Sequence, residues 1–294
     1  MSWWQLSITC KTLELEQTES SLLELGALSI TISDAEDKPI YEPLPGTMPV
    51  WPLSIVTALF DGSCHIKGLT QLLQESLPAH LVKSLQLQKL NDQIWERAHL
   101  DSFKPVHFGN NLWIVPSWHQ APHPDAVNIQ LDPGIAFGTG SHATTALCLS
   151  WLAQNPPRGL SVIDYGCGSG ILAIAALKLG ASSLSCVDID QQALDATADN
   201  ALRNHIDPLQ INLALPSEFK SDSVDLLIAN ILSGPLLELA STFASLVKPG
   251  GTILLSGILS EQLNEIYQAY SPYFDLQKSR CQDDWCRING TRLK

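Results

Sequence analysis

The sequence predicts an α/β protein in which a parallel sheet is flanked by helices and preceded by a smaller α+β domain. From residue 160 onward, short apolar runs alternate with longer runs of helical periodicity, which is the pattern of repeated strand–helix units. The first third of the chain instead repeats strand–helix–strand twice. We therefore predict a first domain at 1–93, a linker at 94–104 and a second domain at 105–294.

The first domain is predicted to be ferredoxin-like, because two strand–helix–strand units follow each other in one short domain. Predicted strands cover 3–10, 28–32, 55–60 and 82–90, and predicted helices cover 14–25 and 69–77. A proline-rich run at 38–52 predicts a loop. This domain has no sequence motif that carries chemistry.

In the second domain, one strand is predicted at 112–115 and a helix at 146–154. Further strands are predicted from the runs LSVIDYG, LSCVDID, INLAL, VDLLIAN and GTILLSGI, with helices between most of them, and two strand-like runs end the chain. A parallel sheet with helices on both faces binds ligands at the carboxyl ends of its strands. Residues that follow these strands are therefore the candidates for function.

Composition narrows the class of protein. The 294 residues are 45% apolar with a formal net charge of −13, which suits one or two globular domains with ample core. No apolar run approaches the ~20 residues of a membrane span, and the first residues lack a secretory signal. The sequence contains no cluster of Lys and Arg, which disfavours binding of nucleic acid as the main function. The seven cysteines lack metal-site spacing, so we predict reduced thiols, no disulfide and no metal, in a cytoplasmic protein.

The stretch VIDYGCGSGILA at 162–173 places three glycines at alternate positions. Such spacing is costly inside a helix or strand and indicates a sharp turn or a closely approaching ligand. Counted from Gly168, the run Gly168-x-Gly170-x-x-Ala173, with Asp188 twenty residues on, fits a dinucleotide fingerprint. Counted from Gly166, with Asp164 before it, the run fits an S-adenosylmethionine-dependent methyltransferase.

Asp164 favours the methyltransferase interpretation. A carboxylate at the strand end would repel a pyrophosphate, which binds at a helix N-terminus, but it suits the ammonium and sulfonium groups of S-adenosylmethionine. Gly166 and Gly168 are then candidates for binding this cofactor. Asp188 ends the next strand, where its carboxylate can accept hydrogen bonds from both ribose hydroxyls, whereas Asp190 is predicted as the N-cap of the following helix.

Two further segments are predicted at the same edge of the sheet. Asn230 ends the strand in DLLIANILSGPL and offers both a donor and an acceptor. The loop in LDPGIAFGTGSHATT, 131–145, opens a helix, and its amides and hydroxyls can bind an anionic group such as a carboxylate. Phe137 beside the glycines strengthens this interpretation. His142 is either a base or a plain loop residue, and we favour the loop residue.

Together, the segments LDPGIAFGTGSHATT, VIDYGCGSGILAIAALKLGA, VDID and ANILSGPL resemble the PrmA family of ribosomal-protein methyltransferases. The similarity extends to LWIVPSW, EPLPG and DDWCRI and so spans nearly the whole chain. Members of this family modify protein eleven of the large ribosomal subunit. The combination of FGTGSHATT with ANILSGPL is more specific than the glycine turn, which most S-adenosylmethionine enzymes share.

The resemblance implies a class I methyltransferase domain behind an N-terminal domain that docks the free ribosomal protein. It implies trimethylation of lysine side chains and of an N-terminal amine. By position, it assigns cofactor contacts to Thr145, Gly166, Asp188 and Asn230, with Phe137 and Gly138 lining the pocket. One departure lies in the linker, where His99 stands in place of a second Trp that family members often have.

Several alternatives stay open on the sequence. Ile231-Leu232 follows Asn230, in place of the Pro-Pro-aromatic residues of amide and adenine N-methyltransferases, so a flexible alkyl amine fits better than a flat acceptor. No residue stands out as an obligate base, and water or His142 can take the proton. The alternatives are methylation of another protein, RNA or a small amine, a dehydrogenase, and a binding protein without activity. Direct nucleic-acid and membrane partners are not expected.

Overall fold

The computed structural model describes residues 2–36, 40, 49–91, 103–132 and 142–294. These residues form two compact units, one within 2–91 and one within 103–294. The predicted linker at 94–104 lies almost entirely outside the described residues, so its boundaries stay a prediction. Among the described helices, none is long and apolar enough to cross a bilayer.

The first unit is built on a four-stranded antiparallel sheet. Its elements are β1 (Ser2–Lys11), α1 (Leu15–Glu24), β2 (Ser29–Asp34), β3 (Leu53–Asp61), α2 (Ile66–Ser76), α3 (Ala79–Lys83) and β4 (Gln86–Asn91). The sheet order is β2-β3-β1-β4, with every neighbouring pair antiparallel. This is the ferredoxin-like arrangement that the sequence predicts.

Every second residue of β1 points into the core of this unit. Leu6, Ile8 and Cys10 of β1 point to one face, where they pack with Leu22 of α1. The predicted strand at 82–90 is partly wrong, because its first residues belong to α3, a helix that begins directly after Pro78. Pro78 is the N-cap of α3, where a residue that lacks a backbone N–H costs no helical hydrogen bond.

A small sheet opens the second unit. Its strands are β5 (Val106–His107), β6 (Leu112–Val115) and β7 (Val127–Gln130), with β6 antiparallel to β5 and parallel to β7. The sequence predicts β6 but misses the other two, because strands this short show little periodicity. Asn204, which follows the helix at 191–203, holds β7 in place. Its side chain accepts from the Gln130 N at 2.8 Å and donates to the Gln130 O at 2.7 Å.

The large sheet carries the predicted alternation of strands and helices. Its strands are β8 (Ser161–Tyr165), β9 (Ser183–Val187), β10 (Ile211–Ala214), β11 (Val224–Asn230), β12 (Val247–Leu259), β13 (Phe274–Leu276), β14 (Arg280–Gln282) and β15 (Trp285–Arg292). Its helices are α4 (Ala143–Gln154), α5 (Ile171–Lys178), α6 (Gln191–Arg203), α7 (Ser233–Leu246) and α8 (Leu263–Tyr270). The strand order is β10-β9-β8-β11-β12-β15-β13, and β14 pairs with β15.

The sheet departs from the predicted parallel arrangement at one edge. Strands β10, β9, β8, β11 and β12 run parallel to their neighbours, whereas β15 pairs antiparallel with β12, β13 and β14. A parallel crossover needs a dozen or more residues, and the chain between β13 and β15 is too short to provide one. The last strands therefore turn back as hairpins.

Both faces of the sheet are covered. Val162, Leu226 and Ile228 face the core beneath α4 and α5, whereas Ile163 and Leu227 face the core beneath α7 and α8. Burial on both faces explains why these strands are continuously apolar. The strand order reverses between β8 and β11, and such a reversal opens a crevice at the carboxyl ends of the strands.

The prediction that all cysteines are thiols is also wrong. Cys281 of β14 and Cys286 of β15 lie directly opposite each other and form a disulfide. The hairpin creates this contact by turning back over Asp283 and Asp284, with Asp283 in the left-handed region at φ 53°. The sequence gives the spacing of the two cysteines, but only the register of the hairpin sets them side by side.

Candidate active site

Three glycines turn the chain sharply between β8 and α5. Gly166, Gly168 and Gly170 have φ values of 80°, 55° and 77°, in the region that residues with a Cβ avoid. A Cβ on Gly166 would lie 2.1 Å from Cγ2 of Ile231, and one on Gly170 would lie 2.7 Å from Cγ2 of Thr197. Glycine is therefore required at both positions for conformation and for space.

Neighbouring elements hold this turn in place. The backbone N of Gly166 donates to the O of Val187 at 2.7 Å. From α6, the Thr197 hydroxyl donates to the O of Gly168 at 3.0 Å, and the Asn200 amide donates to the O of Ser169 at 2.9 Å. Sequence reasoning missed both α6 residues. Their signal is two polar residues three positions apart, and such residues share one face of a helix.

Asp188 lies directly after β9 and reaches the glycine turn. Its Oδ2 accepts from the N of Gly168 at 2.9 Å, and its Oδ1 accepts from the N of Asp190 at 3.1 Å. A carboxylate has about four lone-pair sites, so both oxygens keep acceptor capacity for a ligand. Asp190 accepts from the N of Gln192 at 2.9 Å as the N-cap of α6, as the sequence predicts.

Asp164 lies beneath the turn, only 1% exposed. Its Oδ2 accepts from the N of Ala173 at 3.0 Å, while its Oδ1 has no hydrogen-bond partner among the described residues. Burial raises the pKa of the Asp164 carboxyl to about 7, the Ala173 hydrogen bond opposes this rise, and the charge of Asp188 adds to it. The sequence predicts a ligand contact for this carboxylate, and that contact stays a prediction.

Asn230 ends β11 and meets the first turn of α4. Its Nδ2 donates to Oγ1 of Thr145 at 3.3 Å. The Thr145 side chain is fully buried, whereas Asn230 is half-buried. The structure therefore brings together two residues that lie 85 positions apart in the chain and that the sequence assigns to one site.

His142 is the N-cap of α4. Its Nδ1 accepts from the N of Thr144 at 3.4 Å and lies 2.8 Å from the Thr144 hydroxyl. Because Nδ1 accepts, the neutral ring carries its proton on Nε2. Burial lowers the pKa of the His142 ring, which favours this neutral form. The ring also packs edge-on against Trp285, with centroids 5.1 Å apart, so His142 acts as a structural cap.

The glycine- and threonine-containing loop before α4 is only partly described. Phe137 and Gly138 lie outside the described residues, and their predicted contacts stay predictions. The residue that precedes this segment, Asp132, accepts from the N of Ser117 at 2.7 Å and pairs with Arg203 at 3.5 Å. These contacts fix the position at which the chain enters the loop.

Two apolar residues lie at this edge; sequence reasoning named Ile231 only as the residue after Asn230 and missed Ile189. Ile189, between Asp188 and Asp190, is 86% exposed. Ile231 is half-buried, and a Cβ on Gly257 of β12 would lie 2.1 Å from the Ile231 O. Gly257 of β12 and Gly166 of the glycine turn thus both lie close to Ile231. The signal for Ile189 is an apolar residue flanked by two polar ones after a buried strand.

The groups at this edge fit S-adenosylmethionine. Gly166, Gly168 and Gly170 leave the backbone of the turn without side chains, Asp188 offers acceptors for hydroxyl groups, and Ile189 exposes an apolar side chain beside it. Asp164 keeps one buried acceptor oxygen without a partner among the described residues. The fold and this edge together define a class I methyltransferase that uses S-adenosylmethionine as its methyl donor.

The chain belongs to the family described as Ribosomal protein L11 methyltransferase (PrmA), whose model matches residues 2–293. It is 50% identical to the Ribosomal protein L11 methyltransferase of Azotobacter vinelandii over 296 residues, which cover 99% of this chain and all of that protein. Identity to the Pseudomonas aeruginosa protein of that name is 49%, covering 99% of both chains. The solved ribosomal protein L11 methylase of Lactobacillus delbrueckii subsp. bulgaricus matches with a TM-score of 0.58 and 34% identity, covering 65% of this chain and 100% of that chain.

Proposed function

We propose that the substrate of this methyltransferase is ribosomal protein L11. The observation that carries the proposal is the family match over residues 2–293, supported by relatives that bear this name and match along their whole length. The net charge of −13 disfavours a nucleic-acid substrate, because an acidic protein repels phosphates.

The acceptors are lysine side chains and the N-terminal amine of L11, methylated up to the trimethyl state while L11 is free of the ribosome. An amine attacks a methyl group only in its neutral form. At pH 7, deprotonation costs about 4–5 kcal/mol for a free lysine and about 1 kcal/mol for an α-amine. Desolvation at the edge of the sheet lowers the cost for lysine. With His142 Nδ1 already accepting from Thr144, we propose that water takes the proton.

The cofactor supplies an electrophilic methyl group, so this chain contributes mainly position and orientation. The Asp188 carboxylate would accept hydrogen bonds from the ribose hydroxyls, and the exposed Ile189 side chain would offer an apolar contact to the adenine. Asn230 orients the amino-acid portion of the cofactor or the acceptor nitrogen. The proposed cofactor contacts are Phe137, Gly138, Thr145, Asp164, Gly166, Gly168, Asp188 and Asn230.

We further propose that the first domain, 1–93, docks L11, that 94–104 is the linker and that 105–294 carries out methyl transfer. The ferredoxin-like unit supports this division, because it forms a core separate from that of the second unit. A substrate that is free of the ribosome places the enzyme in the cytoplasm.

Mass spectrometry of purified L11 tests the proposal. L11 is incubated with S-adenosylmethionine and the wild-type enzyme, Asp188→Ala or Asp195→Ala. Asp195 is exposed on α6, where its Oδ1 accepts from the Gln191 side-chain amide. Asp195→Ala is therefore a control that also removes one carboxylate. We expect whole-methyl mass gains with wild type and Asp195→Ala, and none with Asp188→Ala.

The outcomes separate cofactor from substrate. If S-adenosylmethionine binds but L11 keeps its mass, the substrate proposal is wrong and the class of enzyme stands. If methyl groups reside on side chains other than lysine and on no N-terminal amine, the acceptor proposal is wrong. If L11 is modified only within assembled ribosomes, the proposal of a free substrate is wrong.

A further inference from the structure

The hairpin of β14 and β15 carries a covalent bond that methyl transfer does not use. Cys281 is exposed and Cys286 is fully buried, and the two form a disulfide across the hairpin. The remaining five cysteines are free thiols. A reductant therefore changes one bond in this protein, and the effect of that change can be measured without interference from another disulfide.

β14 is held to its partner strand by three residue pairs, of which Cys281–Cys286 is the central one. β14 has three residues, all exposed, and pairs only with β15 among the described strands. The pair next to the disulfide is Arg280 opposite Arg287, and like charges directly opposite each other destabilise a hairpin. The disulfide thus holds these strands together against this repulsion.

The same hairpin packs against the start of α4. Trp285, which precedes Cys286, contacts the His142 ring that caps this helix. The Ser256 hydroxyl lies 3.2 Å from the Cys286 O and 3.3 Å from the Thr144 O, so it joins β15 to the first turn of α4 through β12. That turn also carries Thr145, the partner of Asn230.

We propose that Cys281 and Cys286 form a redox switch that sets the affinity for S-adenosylmethionine through the position of the start of α4. The oxidised pair holds Trp285 against His142 and keeps the Thr145–Asn230 contact in place. Reduction releases β14 and loosens this contact. The inference rests on the proposed function, which places the enzyme in a compartment where disulfides are rare and those present are commonly redox-sensing.

The chemical step is thiol–disulfide exchange with a dithiol. One thiolate of the dithiol attacks the Sγ of exposed Cys281, the S–S bond breaks, and Cys286 leaves as a thiolate that takes up a proton. The second thiolate of the dithiol then displaces Cys281, which is protonated in turn. Two electrons and two protons pass to the protein, and the dithiol becomes a disulfide.

Calorimetric titration with S-adenosylhomocysteine tests the switch. The full-length enzyme is titrated as oxidised protein and after reduction with dithiothreitol, and thiol alkylation with mass spectrometry records the state of each cysteine. We expect reduction to weaken binding about fivefold, within the usual range of coupling between two sites. Cys281→Ser is expected to bind like the reduced wild type with or without dithiothreitol.

Cys64→Ser is the control, because it removes a thiol of the first unit and leaves the disulfide intact; it should keep the full response. Coupling is reciprocal, so saturating S-adenosylhomocysteine should make Cys281–Cys286 about fivefold harder to reduce in a dithiothreitol redox buffer. Equal affinity in both states overturns the proposal, as does finding both cysteines as thiols in protein exposed to oxidant.

The switch and the proposed function fail separately. If L11 is methylated but affinity is independent of redox state, the switch is wrong and the substrate stands. If affinity follows the redox state but L11 is not methylated, the substrate is wrong and the switch stands. The two outcomes are independent because the titration uses only S-adenosylhomocysteine and needs no L11.

Discussion

Asp225 at the amino end of β11 and Asp164 near the carboxyl end of the neighbouring strand β8 are carboxylates of one sheet in opposite situations. Asp225 pairs with Lys248 at 2.7 Å and accepts from the hydroxyl and the backbone N of Ser161. Asp164 accepts a single hydrogen bond, from the Ala173 N, and has no cation partner among the described residues. The pKa of Asp225 falls to about 2, first because of the Lys248 contact, whereas that of Asp164 rises to about 7 because of burial.

The difference between Asp225 and Asp164 indicates that one end of these strands serves stability and the other serves function. At the amino edge, Asp225 is paired with Lys248 and hydrogen-bonded to Ser161, and these contacts contribute to the stability of the fold. At the carboxyl edge, a buried carboxylate is left with an oxygen that lacks a partner among the described residues, at a cost in stability. Perturbed groups of this kind cluster at functional sites, and here the perturbed group lies beneath the glycine turn.

The largest expected effect compares two glycines of one strand. Gly257 and Gly250 of β12 have φ values of 84° and 81°, but a Cβ on Gly257 would lie 2.1 Å from the Ile231 O, whereas one on Gly250 would meet nothing within 4 Å. We expect Gly257→Ala to lower the free energy of unfolding by about 3 kcal/mol or more. Gly250→Ala should lower it by only about 1 kcal/mol, the backbone strain alone. Urea denaturation measures both.

Equal losses at the two glycines would mean that the carboxyl edge is no more tightly packed than the amino edge. The two edges of the sheet would then differ in charge alone.

The next effect concerns Asn230 at the carboxyl edge. Asn230→Ala removes the donor to Thr145 and the proposed contact with the cofactor or the acceptor amine. We expect kcat/KM for L11 methylation to fall about 30-fold, the size of one hydrogen bond to a charged group. Asn212→Ala, at an exposed position of β10, is the control and should leave kcat/KM unchanged. If Asn230→Ala changes neither cofactor affinity nor turnover, Asn230 has no positioning role.

The raised pKa of Asp164 predicts that stability and cofactor affinity depend on pH. Its pKa of about 7 in the folded protein exceeds its usual 3.8, so its contribution to stability is fully present below pH 3.8 and is lost as pH rises through 7. Only the ionised form attracts a cationic cofactor. Affinity for S-adenosylmethionine should therefore rise between pH 6 and pH 8, by at most about tenfold as the ionised fraction grows.

Asp164→Asn keeps an acceptor for Ala173 and removes the titration, so its affinity should be flat across this range. Asp199→Asn, at an exposed position of α6, should keep the slope of the wild type. Calorimetric titration at three pH values measures all three proteins. A flat profile for the wild type would show that the Asp164 charge does not contribute to binding.

Much of the large sheet could be predicted from the sequence because its physical causes are local. Two-sided burial makes β8 and β11 continuously apolar, and the sharp turn after β8 needs glycines at fixed spacing. The position of Asp188 at the carboxyl edge could be predicted because it directly follows a buried strand. Helix α6 begins where expected because Asp190 caps it.

What sequence reasoning missed depends on contacts between distant segments. Thr197 and Asn200 bind carbonyls of the glycine turn about 30 positions earlier, and β7 is fixed by Asn204 from 74 positions away. The disulfide depends on hairpin register. The burial of Asp164 was within reach, because Asp164 and Val162 are two positions apart on β8 and therefore face the same core.

The smallest expected effect concerns the amino edge. The folded pKa of Asp225 lies below its usual 3.8, so the stability it contributes is present above pH 3.8 and is lost as pH falls toward 2. Because both partners are partly exposed, solvent screening limits this contribution to about 1 kcal/mol. Asp225→Asn should lower the free energy of unfolding by that amount at pH 7 and by almost nothing at pH 2.

Asp222→Asn, at an exposed neighbouring position, should leave unfolding unchanged at both pH values. L11 methylation at pH 7 should be the same for wild type and Asp225→Asn, because the ion pair lies at the edge of the sheet opposite the active site. A loss of turnover in Asp225→Asn without a loss of stability would contradict the division of the sheet into a stabilising and a functional edge, since it would couple the amino edge to catalysis.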